Sequence, residues 1–269
     1  MIIDGRALAQ KIKAELKREL AEINLRPVLA VVLVGADPVS LKYIARKQKF
    51  GQDIGAEVRL FSYNETISEE DLLAEISRLA GEAGIHGLIV QLPLPTRLSA
   101  DRILATIPPA KDVDALTTDS LTLSPVAVAV AEIFSAYDIK PAGRPALVIG
   151  AGRLVGRPVA AWLSAVGAKV KVADIKTKAE DLTELCRRAE IIVTGAGQPN
   201  LIKPEMIKPG AVIIDAGTSE VGGRLAGDAD PACADMASLF TPVPGGVGPV
   251  VVAALFKNLL TLAKVTDSR

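Results

Sequence analysis

The chain has 269 residues, enough for two domains of ordinary size or one large α/β domain, and its 49% hydrophobic and 23% charged residues describe a globular rather than a disordered protein. Basic and acidic residues balance at 31 each, so no overall field recruits nucleic acid or an anionic membrane. Two cysteines without a paired spacing, an N-terminus without a basic leader, and no run long enough to cross a bilayer lead us to expect a cytoplasmic protein with no membrane or nucleic-acid partner.

Asp4 is placed to cap a helix whose Leu8, Ile12, Leu16 and Leu20 recur every four residues. Val28 to Val34 is apolar without alternation, the pattern of a strand covered on both faces. Asp37-Pro38 then opens a helix expected to reach Gly51. On that helix Tyr43 and Lys47 stand four apart at the edge of an apolar side carrying Leu41, Ile44 and Gln48. By helix spacing alone, Lys47 also fits a solvated basic face with Lys42, Arg46 and Lys49. A second strand is expected at Val58 to Ser62, followed by a helix from Ser68 to Gly84 whose stripe is Leu72, Leu73, Ile76 and Leu79. His86, the sole histidine, reads as a loop residue before a third strand, Gly87 to Val90, and its solitude excludes a histidine-rich metal site. That strand delivers Gln91 to a carboxyl end, where open parallel sheets bind ligands. A short helix after Ser99, stopped by Pro108-Pro109, leads to the loop Lys111-Asp112-Val113-Asp114.

A small-residue helix from Pro125 to Ala136 precedes an alternation of strands near 146–149, 169–173, 190–193 and 211–214 with helices, which argues for a parallel sheet wound on both faces. The first of these strands runs into Gly150-Ala151-Gly152, with Arg153, Val155 and Gly156 beyond and a helix expected from about Leu154. Such a turn lets a backbone approach a dinucleotide pyrophosphate at a helix N-terminus; alone it also fits a strand-to-helix connection without ligand. The second strand ends at Asp174, where a dinucleotide fold places an acid on the ribose hydroxyls, favouring NAD over NADP. Asp215-Ala216-Gly217-Thr218 follows the fourth. The Pro- and Gly-rich segment Thr241 to Pro249 reads as a rigid loop ahead of an apolar helix from Val250 to about Ala263.

Five strings together resemble the bifunctional methylenetetrahydrofolate dehydrogenase/cyclohydrolase family: Tyr43-Ile44-Ala45-Arg46-Lys47, Val90 to Pro95 (VQLPLP), Lys111 to Asp114 (KDVD), Ile149 to Pro158, and Thr241 to Pro249 (TPVPGGVGP). Their order covers nearly the whole chain. The resemblance implies a two-lobed α/β protein, a homodimer, with a folate-binding catalytic domain at 1–120 completed by a C-terminal helix at 247–269, and a Rossmann-like NAD(P) domain at 121–246. It implies oxidation of 5,10-methylenetetrahydrofolate by NAD or NADP, without a metal, and hydrolysis of the methenyl product to 10-formyltetrahydrofolate. By the same resemblance Lys47 is the general acid/base, Gln91 orients its amine, Tyr43 stacks on the ligand and Asp114 holds the pterin. Leu92, Pro244 and Gly245 then line the substrate, and Gly150, Ala151, Gly152, Arg153, Val155, Gly156, Asp174, Ile175 and Thr218 meet the cofactor.

The chain departs from the family pattern in three places. Asp114 is followed by a short link to Ser124-Pro125-Val126-Ala127 in place of a longer loop and PCTP; the family's G-x-S reads Gly150-Ala151-Gly152; its H-S-x-T reads Asp174-Ile175-Lys176-Thr177. These departures leave open a dehydrogenase without the cyclohydrolase step, or a folate- or dinucleotide-binding relative without turnover.

Overall fold

Helix α1 (Gly5–Glu22) begins where Asp4 Oδ1 accepts hydrogen bonds from the backbone N–H groups of Arg6 and Ala7, and it buries Ile12, Leu16 and Leu20. The computed structural model describes residues 1–267, which fall into two units: Met1–Gln10 with Val126–Val251, and Lys11–Pro125 with the chain from Val252 onward.

The second unit is built on β1 (Val28–Val34), buried at every position as its unbroken apolar run requires. Gly35, at φ +83°, turns the chain out of it. Helix α2 (Pro38–Ile54) starts at the Asp37 cap and continues through Gly51 to end at left-handed Gly55. The expected stop at Gly51 is therefore wrong, because this glycine serves packing: a Cβ there would lie 2.8 Å from Val58 and 3.2 Å from Phe256. Leu41 is 40% exposed, so it does not belong to the apolar side on which Ile44 is buried. Strand β2 (Glu57–Tyr63), helix α3 (Glu69–Gly81), strand β3 (Gly87–Val90) and helix α4 (Ala100–Leu104) follow. Helix α3 ends three residues before Gly84, and α4 ends before Pro108-Pro109 is reached. The three strands are parallel in the order β2-β1-β3. One face packs Val28, Ala30, Val32 and Val34 against Leu72, Ile76 and Leu79 of α3 and Ile103 and Leu104 of α4.

After Met1–Gln10, the first unit resumes with α5 (Pro125–Ala136), of which Val126 onward belongs to it, and then winds β4 (Pro145–Ile149), α6 (Gly156–Ala165), β5 (Lys169–Ala173), α7 (Ala179–Arg188), β6 (Ile191–Thr194) and β7 (Val212–Asp215). Helix α6 starts two residues later than expected. An antiparallel hairpin of β8 (Ser219–Val221) and β9 (Arg224–Ala226), and the two-residue β10 (Leu239–Phe240), have no counterpart in the sequence reading. The main sheet is parallel in the order β10-β7-β6-β4-β5. Its chain leaves β4 toward β5 on one side and returns to β6 on the other, so the topological switch point lies between the carboxyl ends of β4 and β6.

Helix α8 (Val247–Asp267) begins inside the glycine-proline loop, three residues before the expected Val250; of the expected span 247–269, residues 268–269 lie outside the described residues. By length and composition α8 is able to cross a membrane, contrary to the expectation that no segment is, yet its Ala253, Phe256, Leu259 and Leu262 are buried, and Phe256 stacks on Phe50 with ring centroids 5.0 Å apart. It is a core helix.

Candidate active site

In the unit built on β1, Gln91 extends the ladder past the end of β3, donating its backbone N–H to Val32 O at 2.9 Å. Its side chain is fixed at both ends. Nε2 donates to Leu92 O at 2.9 Å, which leaves Oε1 to accept from Lys47 Nζ at 3.1 Å. Lys47 is thereby drawn off the solvated face that its neighbours Lys42, Arg46 and Lys49 occupy, and it is half-buried while they are exposed. Removal from water disfavours its ammonium, so the pKa lies below the ordinary 10.5; the Asp114 carboxylate acts in the opposite direction. Tyr43, one turn earlier on α2, is half-buried with the Arg46 guanidinium 5.4 Å from its ring centroid.

Asp114 reaches this group because the KDVD segment runs alongside β3. Asp112 forms a parallel bridge with Leu88, and Val113 is buried under Gly87, where a Cβ would come within 2.3 Å of Val113 Cγ2. Asn258 of α8 clamps the segment by donating to Val113 O at 2.9 Å and Leu123 O at 2.7 Å. Asp112 Oδ2 accepts from the backbone N–H of Thr117 at 2.8 Å and from its hydroxyl at 2.7 Å, closing the link beyond. Ala115 then takes φ +53°, a left-handed conformation costing an L-residue about 1–2 kcal/mol, directly after Asp114. Burial raises the Asp114 pKa, opposed by the Lys47 charge and assisted by the Asp112 charge. A cation that is costly to charge and an acid that is costly to ionise thus each bear on the other's ionisation, an arrangement suited to moving protons.

The other unit carries the remaining candidates. Gly150 takes φ +98°, and a Cβ there would lie 2.6 Å from Gly195 O; one at Gly156 would lie 1.7 Å from Gly150 O. The turn is therefore closed so tightly that only glycine fits at either position. Val155 at the N-cap of α6 makes no side-chain capping bond; of the helix's first three residues Arg157 donates its N–H to Gly152 O at 3.1 Å and Pro158 has none, so Gly156 supplies the N–H at the turn, and exposed Gly152 has open space around it. This cradle fits a dinucleotide pyrophosphate. Ala151 is held by Arg157, whose Nε donates to its carbonyl at 3.0 Å, and Arg153 and Val155 are half-buried beside it. Asp174 is exposed just past β5 and its Oδ1 accepts from the Lys176 N–H at 2.9 Å; Ile175 beside it and Thr218 after β7 are also exposed. In the glycine-proline loop Pro244 is exposed and Gly245 takes φ +106°, while Gly246 closes against Gly5, where a Cβ would lie 1.8 Å from Gly246 O.

His86 takes no part in either group. Its Nδ1 accepts from the Val28 N–H at 3.0 Å and it is buried. Among the described residues no group of three or more His, Cys, Asp or Glu side chains is placed to hold a metal. The sequence reading missed a buried cluster beside the switch point: Thr194, Asp215, Asp228 and Thr241 are each at most 1% exposed. The available signal was a polar residue at the carboxyl end of three parallel strands, since Thr194 and Asp215 end β6 and β7 and Thr241 follows β10.

Two family models match the chain: the catalytic domain of tetrahydrofolate dehydrogenase/cyclohydrolase at residues 3–114, and the NAD(P)-binding domain of the same enzymes at residues 124–267. The bifunctional protein FolD of Lacticaseibacillus casei is 41% identical over 276 alignment positions, gaps included, covering 97% of each chain. The crystal structure of the Campylobacter jejuni bifunctional FolD methylenetetrahydrofolate dehydrogenase/cyclohydrolase superposes with a TM-score of 0.94 at 38% identity, covering 98% of this chain and 99% of that one. The Trypanosoma brucei dehydrogenase-cyclohydrolase, complexed with NADP and an inhibitor, superposes with a TM-score of 0.95 at 34% identity, covering 100% and 99%.

Proposed function

This chain belongs to the tetrahydrofolate dehydrogenase/cyclohydrolase family, and from that premise we propose how its residues divide the two reactions between them. The protein oxidises 5,10-methylenetetrahydrofolate to the methenyl form with NAD(P) and hydrolyses that product to 10-formyltetrahydrofolate, in one-carbon metabolism.

When bound, the nicotinamide accepts the hydride of the one-carbon bridge. The chain's own contribution to that step is position. Gly150, Ala151, Gly152, Arg153, Val155 and Gly156 seat the pyrophosphate at the N-terminus of α6, Asp174 with Ile175 faces the adenosine ribose, and Thr218 borders the same crevice. Hydrolysis needs a proton removed from water as it adds to the cationic methenyl carbon, and one returned to the departing ring nitrogen. Lys47 does both, because burial lowers its pKa and so eases the loss of its proton, and Gln91 Oε1 fixes the direction of Nζ. Asp114 holds the pterin N–H groups, Tyr43 stacks on the ligand, and Leu92 lines it. The single observation that carries this reading is the 3.1 Å hydrogen bond from Lys47 to Gln91.

We assign folate binding to residues 1–120 with 247–269 and dinucleotide binding to 121–246; the grouping of Val252 onward with Lys11–Pro125 supports this division, whereas Met1–Gln10 and the start of α8 up to Val251 group with Val126 onward. A homodimer is proposed through the edge of β5, which among the described residues pairs with β4 alone and exposes Val172 at 50%. NAD is the preferred dinucleotide, on the strength of Asp174, and no metal takes part. Two free cysteines, both buried, suit a reducing cytoplasm.

Purified protein given methylenetetrahydrofolate and each dinucleotide should produce reduced nicotinamide and the methenyl absorbance, which then decays faster than without protein. A persistent methenyl signal would make the protein a dehydrogenase alone, and no reduced nicotinamide would defeat the assignment.

A further inference from the structure

The buried cluster beside the switch point is used by none of the steps above. Asp228 is 0% exposed, and its carboxylate accepts three hydrogen bonds: from Thr194 Oγ1 at 2.7 Å and the Ala196 N–H at 2.6 Å on Oδ2, and from the Gln198 N–H at 2.7 Å on Oδ1. All three donors belong to the end of β6 or the loop that follows it. That loop has no apolar anchor of its own, for Ala196, Gly197 and Gln198 are all exposed. It is nevertheless flush with the dinucleotide turn. A Cβ on Gly150 would lie 2.6 Å from the Gly195 carbonyl oxygen, and a Cβ on Gly195 would come within 2.3 Å of Val155. The loop after β7 presses on the same carboxylate, since a Cβ at Gly217 would lie 2.2 Å from Asp228 Cγ. The loop after β6 is therefore held between the turn after β4 on one side and Asp228 on the other, and the loop after β7 packs on the same carboxylate. No cation pairs with Asp228 among the described residues, so its burial carries a desolvation cost with only neutral donors to offset it.

We propose that Asp228 is a positioning residue for the dehydrogenase step: it fixes the Gly195–Gln198 loop against the Gly150 turn and so shapes the dinucleotide crevice without touching the dinucleotide. This rests on the dinucleotide binding at the switch point, as assigned above. Replacing Asp228 with Asn puts an NH₂ group opposite a backbone N–H donor, that of Ala196 or of Gln198, and the loop loses part of its anchor.

The hydrolysis of methenyltetrahydrofolate consumes no dinucleotide, which supplies an internal control. Wild type, Asp228→Asn and the milder, shape-conserving Thr194→Val are compared by calorimetric titration with NAD and NADP and by both activities. Asp228→Asn is expected to weaken dinucleotide binding by about tenfold or more, the scale of one hydrogen bond to a charged group. Thr194→Val should shift it the same way by less, and hydrolysis should stay within about twofold in both variants. If wild-type protein binds neither dinucleotide, the assignment of the crevice fails, and this proposal with it. If wild type binds but folded Asp228→Asn binds equally well, only the positioning role fails. If Asp228→Asn does not fold, Thr194→Val decides, and unchanged dinucleotide affinity there overturns the proposal.

Discussion

Replacing Lys47 with methionine separates the chemistry at the folate end from the stability of the unit that carries it. Methionine matches lysine in helix propensity and nearly in stem length, so α2 should persist from Pro38 to Ile54. The substitution removes one hydrogen bond, from Nζ to Gln91 Oε1, worth about 1.5–3 kcal/mol for a charged donor. It also removes an ammonium that burial already disfavours, as the lowered pKa records, and the two effects oppose each other. Net stability should change by about 1 kcal/mol or less. Activity should not be spared. General acid/base groups contribute about 10²- to 10⁴-fold, which is about 2.7–5.4 kcal/mol of barrier at 1.36 kcal/mol per decade. The assay is the decay of preformed methenyltetrahydrofolate, run beside dinucleotide reduction and a urea unfolding curve. Hydrolysis should fall by about 10²-fold or more while reduction falls by less than about tenfold. A folded variant that hydrolyses the methenyl compound at the wild-type rate would refute the role given to Lys47.

Asp114→Asn exchanges a carboxylate for a group with one acceptor, so folate KM should rise by about 10- to 100-fold while dinucleotide KM stays within about twofold; equal loss of both ligands would mark Asp114 as a structural residue of its loop. Wild type should prefer NAD by about tenfold in kcat/KM, and Asp174→Ser should move the ratio toward NADP; a wild type that prefers NADP, or an unchanged ratio, would place the determinant elsewhere. Asp215 is 1% exposed, and burial lifts its pKa from 3.8 to about 6, so protonation favours the native state: the added stability is full below about pH 4 and is lost as pH rises through about 6. In urea unfolding of wild type against Asp215→Asn, the wild-type advantage should therefore shrink by up to about 3 kcal/mol between about pH 4 and pH 7. A difference that is flat with pH would show that Asp215 titrates alike in both states.

What the sequence reveals about the fold follows how local each cause is. Strands β1 and β3 were legible to the residue, since a strand buried on both faces leaves an unbroken apolar run. Gly51 misled because its reason is tertiary: it makes room for Phe256, a residue about two hundred positions later. Strand β10 spans two residues and has no periodicity to read; its pairing with β7 is what makes it a strand. Lys47 shows the same limit at the candidate site. Helix spacing alone favours a place among solvated lysines, and what draws it inward is Gln91, which arrives just past β3 forty-four residues later. The resemblance of YIARK and VQLPLP joined those segments in advance, but the direction of the bond and the countervailing charge of Asp114 come from the structure. Asp228 was missed because nothing near it in sequence announces the loop it anchors, thirty-two residues earlier at Ala196.

The most direct test of the poised amine is the titration of Lys47 itself, followed through its side-chain Cε and Nζ resonances by NMR, using Lys47→Met to assign them. Its midpoint should lie below the ordinary 10.5, and it should fall further in Asp114→Asn, because the carboxylate that supports the ammonium has gone. A Lys47 that titrates at the ordinary value, or whose midpoint does not fall when Asp114 is neutralised, would contradict the proton-transfer role assigned to it.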